Sequence, residues 1–137
     1  GSKRWARYQT ERVKMTAIPV HHGDIPALAW RIEIAGQSIV ITGSFNNSKN
    51  LIATFAKDAD ALVVSHAIPE NSRGVLRDLY ARPSQLGRVA DQADARMMIL
   101  GHRSVRTRGR ESLSRNAIEE NYNGTILFAN DGECWGL

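Results

Sequence analysis

An α/β fold, with a mixed β-sheet carrying helices, is predicted by three features of this chain. Short apolar runs of strand length recur along it. The first three follow one another through tight turns, and the later ones alternate with segments whose apolar residues repeat at helical spacing.

Residues 13–20 (VKMTAIPV) alternate and read as a strand closed by His21-His22-Gly23-Asp24. Residues 28–34 (LAWRIEI) form a second strand, and Ala35-Gly36-Gln37 turns tightly into a third at 38–42. The period then changes: Leu51, Ile52, Phe55 and Ala59 share one helical face, with Asn47 or Ser48 as the expected N-cap. Residues 61–65 (ALVVS) are continuously apolar, as suits a strand covered on both faces. A long polar connection at 70–82 leads to Pro83-Ser84 and a second helix with Leu86, Val89, Ala90 and Ala93 on one face. The run 97–101 (MMILG) is a further buried strand, an Arg-rich loop follows, and a third helix is predicted over 111–122. Asn123-Gly124 turns into a last strand at 125–129, giving the order βββαβαβαβ. Three helices are few for six or seven strands. They are therefore expected on one face of the sheet, leaving the other in need of a partner.

The chain has 137 residues, enough for one domain that buries roughly 68% of its unfolded surface. Its apolar fraction of 42% and charged fraction of 23% exclude a disordered or fibrous chain. No apolar run reaches the ~18 to 20 residues of a membrane helix. A net charge of +4 permits nucleic-acid binding without favouring it. Cys134 is the sole cysteine, which leans towards a reducing compartment but leaves cytoplasm and periplasm both open. Gly1-Ser2 resembles the remnant of a cleaved affinity tag, so residues 1–12 are set apart from the fold and 13–137 are taken as its domain.

Six ordered motifs then stand out: Val20-His21-His22-Gly23, Pro26-Ala27-Leu28-Ala29-Trp30-Arg31, Ser38-Ile39-Val40-Ile41-Thr42-Gly43, Ser65-His66-Ala67, Tyr80-Ala81-Arg82-Pro83-Ser84 and Met98-Ile99-Leu100-Gly101-His102. Together they resemble the C-terminal half of a metallo-β-lactamase fold hydrolase, in the ribonuclease Z and arylsulfatase-like branch. The resemblance implies half of a four-layer αββα fold. It also implies metal-dependent hydrolysis of a phosphoester, sulfate ester or similar substrate. His22 and His102 fall on metal-ligand positions, and histidine at a rigid strand end suits zinc.

The departures matter as much. Where the family carries a bridging aspartate this chain has Ser44, and where it carries a histidine before the helix proline this chain has Tyr80. His66 replaces a carboxylate, and remains a candidate for proton transfer. The family's histidine-rich N-terminal loop has no counterpart among His21, His22, His66 and His102, so zinc needs ligands from an N-terminal half or a partner chain. His21 is expected on the opposite face from His22, exposed and inert. Arg103, Arg106 and Arg108, in the loop after His102, are candidates for holding an anion, against the plainer reading of a solvated loop.

Two functions follow. One is a degenerate hydrolase half, inactive as this chain alone, whose open sheet face takes the N-terminal half or a second copy. The other is a catalytically silent binding or assembly module for an anion or nucleic acid.

Overall fold

The computed structural model describes residues 6–137, so the proposed tag remnant Gly1-Ser2 lies outside the described residues. Seven strands form one sheet in sequence order: β1 (Ala6–Gln9), β2 (Val13–Val20), β3 (Ala27–Ile34), β4 (Gln37–Ile41), β5 (Ala61–Ser65), β6 (Met97–Gly101) and β7 (Thr125–Phe128). The pairs from β1 to β4 are antiparallel and those from β4 to β7 parallel. Strand β2 thus runs in the same direction as β4 to β7. The loops after β2, β4, β5 and β6, which carry the sequence motifs, all leave one edge of the sheet.

Four helices join the strands: α1 (Leu51–Phe55), α2 (Val75–Leu79), α3 (Pro83–Gln92) and α4 (Glu111–Glu119). Leu86, Val89 and Ala90 of α3, Ile118 of α4, and Ile52 and Phe55 of α1 pack on Val40, Leu62, Val64, Met98 and Leu100 in the main core. The described residues hold one strand and one helix more than the sequence pattern predicts. Strand β1 lies in the segment set apart from the domain, and its four residues are all exposed, so no burial pattern marks it. Helix α2 lies within the polar connection and buries no residue, so it carries no helical stripe of apolar side chains. The expected N-cap of α1 also shifts. Asn50 occupies it with a left-handed φ of 47° and no side-chain cap, while Asn46 Oδ1 accepts from the Ser48 amide at 2.9 Å. The start of α3 is capped from a distance: Glu70 accepts both the amide and the hydroxyl of Ser84, at 2.8 and 2.6 Å.

The other face of the sheet is largely bare. Register places Tyr8, Met15, Leu28, Trp30, Ile32, Ile34, Ile39, Ile41 and Val63 on this side, opposite the helices. Leu28 is 49% exposed, Ile34 45% and Trp30 37%. The register gives this face no charged residue among the described strands. Only near β5 to β7 is it covered, where Ala61, Met97 and Ile99 pack with Leu127, Ala129 and the terminal Leu137. Gln37 Nε2 donates to the Leu137 carbonyl at 3.1 Å and holds that tail across the sheet.

Candidate metal centre

The loop after β4 begins with a tight reversal. Gly43 has φ +60°, and a Cβ there would lie 2.8 Å from the Leu28 carbonyl oxygen, so both the backbone and the space call for glycine. The reversal presents Ser44, whose Oγ lies 3.5 Å from Ser65 Oγ at the end of β5. Ser65 in turn donates to the Gly43 carbonyl at 3.2 Å. Two neutral hydroxyls therefore meet where β4 and β5 end.

His22 follows β2 and is buried, while His21 beside it is exposed, as the alternation of the chain predicts. The His22 Nδ1–H donates to the Leu79 carbonyl at 2.6 Å. That bond fixes the tautomer and leaves the Nε2 lone pair as the ring's donor to a metal. Tyr80, the next residue, sits edge-on to His22 with ring centroids 5.0 Å apart. Its other neighbour is His102, at 6.4 Å and nearly parallel, with 29° between the ring planes. His102 is exposed and takes a left-handed backbone, φ 49°, unusual for a residue with a side chain. The chain thus gathers His22, Tyr80 and His102 in one row at the carboxyl edge of the sheet. Among the described residues, no three His, Cys, Asp or Glu side chains come together.

His66 is placed elsewhere. It is 1% exposed, with Nε2 hydrogen-bonded to Ser114 Oγ of α4 at 2.7 Å and its ring 5.4 Å from Phe128. Its Nδ1 has no hydrogen-bond partner. Burial, and secondarily the charge of Arg103, push its pKa down to about 4, against the opposing pull of Glu111. The ring is therefore neutral at pH 7 and buried beneath the sheet edge rather than beside His22 and His102.

The loop after His102 is built around His66 as well. Thr107 Oγ1 donates to the His66 carbonyl and Ser104 Oγ to that of Ala67, each at 2.7 Å. The Arg103 guanidinium is engaged within the chain: it pairs with the Glu111 carboxylate and donates to Asn130 Oδ1 at 2.8 Å. Arg106 and Arg108 are exposed. Tyr80, marked in the sequence only as a departure, makes ring contacts with both candidate ligands.

No family model matches the chain, and no curated protein does either. Solved structures do. YhfI from Bacillus subtilis, a metallo-β-lactamase fold protein, superposes with a TM-score of 0.80 at 19% identity, over 95% of this chain and 52% of that one. The short form of human tRNase Z gives 0.68 at 17% identity, over 90% and 42%. Zinc-bound PqqB from Methylobacterium extorquens gives 0.65 at 14% identity, over 96% and 53%. The chain spans about half the length of each. It therefore has the fold of about half of a metallo-β-lactamase fold protein.

Proposed function

We propose that this chain is the C-terminal half of a metal-dependent hydrolase with a degenerate centre, inactive by itself. Its missing ligands would come from a complementary half, or from a second copy, seated on the bare sheet face. The half-domain is assigned to residues 13–137, with β1 extending its edge. The observation that carries this reading is the convergence of His22 and His102 on Tyr80, at the edge of the sheet where the strands end.

The donor set fits one metal ion and does not fit two. His22 offers Nε2 because Nδ1 is already committed, and His102 is exposed and free to turn towards an ion. Between two dications a carboxylate is needed to offset their repulsion, and Ser44 supplies only a hydroxyl. Zinc would be held by His22 and His102 with partner ligands, and its contribution there is to lower the pKa of a bound water. Phosphoesters come first among substrates and sulfate esters second; the fold shared with human tRNase Z supports that order.

Ser44→Asp tests this reading. A restored carboxylate at the end of β4 is expected to raise zinc affinity at least tenfold in equilibrium dialysis. Wild-type and variant chains both indifferent to zinc would contradict it, and would favour the silent assembly module that the bare face also supports.

A further inference from the structure

Apart from Trp135 in the tail, the large apolar side chains that reach solvent fall in two places. One is the bare sheet face. The other is the carboxyl edge, where Ile25, Val75 and Val105 stand on the connections after β2, β5 and β6, and Leu113 on the first turn of α4. Each is more than half exposed, and Val105 is 81% exposed. Arginines lie among them: Arg73 and Arg77 after β5, and Arg106, Arg108 and Arg110 after β6. All of these are exposed, and among the described residues none has an ion pair or a side-chain hydrogen bond. The opposite edge differs. Its turns expose no large apolar residue among the described ones, and there Lys57 pairs with Asp58 and Asp94, and Arg96 with Asp60.

We propose that the carboxyl edge is a peripheral docking surface for an anionic lipid bilayer, with Val75, Val105 and Leu113 entering the headgroup region and the arginines meeting lipid anions. The proposal does not depend on whether His22 and His102 hold a metal.

The loop after β6 is built to present these groups. Ser104 and Thr107 donate to the Ala67 and His66 carbonyls, each at 2.7 Å, and Thr107 is buried. With those two side chains turned inward, Val105, Arg106 and Arg108 are held outward. The mixture of residues then chooses the occupant. A protein partner favours a contiguous apolar centre depleted in charge, whereas here single aliphatic side chains stand on separate loops with arginines between them. A nucleic-acid backbone rewards the arginines and gains nothing from protruding valine and leucine. A bilayer surface uses both, since separate apolar groups sink into its interface while its anionic headgroups attract the basic ones. Docking of this kind needs no spanning segment, and no helix among the described residues is long and apolar enough to cross a membrane.

The test is co-sedimentation of the 137-residue chain with vesicles of phosphatidylcholine containing phosphatidylserine, beside vesicles of phosphatidylcholine alone. Binding to the anionic vesicles is expected to exceed binding to the neutral ones about tenfold or more. It should weaken as salt rises from about 0.1 M to about 1 M, where screening shortens the reach of charge from about 10 Å to about 3 Å. Arg106→Gln and Arg108→Gln are each expected to lower the partition coefficient about fivefold. Val105→Ser combined with Leu113→Ser removes apolar surface without altering charge, and is expected to lower it about tenfold with circular dichroism unchanged. No binding to anionic vesicles, or equal binding to both kinds, overturns the proposal. Binding that survives all of these substitutions also overturns it, and moves the contact to the bare sheet face. A chain that ignores vesicles but takes up duplex DNA, unaffected by Val105→Ser with Leu113→Ser, overturns it too and assigns the arginines to nucleic acid.

Discussion

His66 shows how much of a single side chain's setting lies far from its neighbours in sequence. The resemblance made it a candidate for proton transfer, at the position of the family's carboxylate; in the fold its ring bonds to Ser114 on α4, a partner 48 residues away. The depressed pKa has a consequence for stability. The unfolded ring titrates near 6.5 and the folded ring near 4, so the unfolded chain takes up the proton first. Stability contributed by the neutral ring is complete above pH 6.5 and is lost as pH falls from there through about 4. Denaturation midpoints measured across this window should fall less steeply in His66→Gln than in the wild type; parallel profiles would remove His66 as the cause. Ser44 was legible because its position follows a glycine turn that sequence order preserves. Tyr80 was found in the sequence only as a departure, because its contacts are with rings brought together from separate loops.

The elements differ in how plainly the chain declares them. Strands β2, β3, β5 and β6 are marked by apolar runs that end in burial on at least one face, and α3 by Leu86, Val89 and Ala90 on one stripe. Strand β1 and helix α2 escape notice because neither buries a side chain. The contact between α3 and α4 hinges on a residue with no side chain at all. A Cβ on Gly87 would lie 2.6 Å from the Ile118 carbonyl oxygen, so glycine lets the two backbones approach. Gly87→Ala gains helix propensity but must push α4 away, and overpacking of this kind costs about 1–3 kcal/mol. A lowered denaturant midpoint is expected; an unchanged or raised one would show that the helices separate without cost.

At the level of the whole molecule, the asymmetry of the sheet dominates. One face is closed by helices and the other presents Leu28, Trp30, Ile34 and Ile41 to solvent without a charge between the strands. Exposed apolar surface of this extent marks an interaction site. The isolated chain is accordingly expected to self-associate through this face in sedimentation velocity, and the double substitution Trp30→Lys with Ile34→Lys to return it to monomer with its helical circular dichroism intact. A wild-type chain that sediments only as monomer at high concentration would contradict that. The uncovered face was legible from the ratio of helices to strands. What would cover it was not, since the strand pattern of this chain describes no complementary surface.

His22 and His102 are the proposed metal positions, and histidine ring resonances report on them directly. With zinc added to the 137-residue chain, the imidazole nitrogen signals of His22 and His102 should shift together, while those of exposed His21 and buried His66 stay in place. Shifts confined to His21, or none at any of the four histidines, would contradict the account.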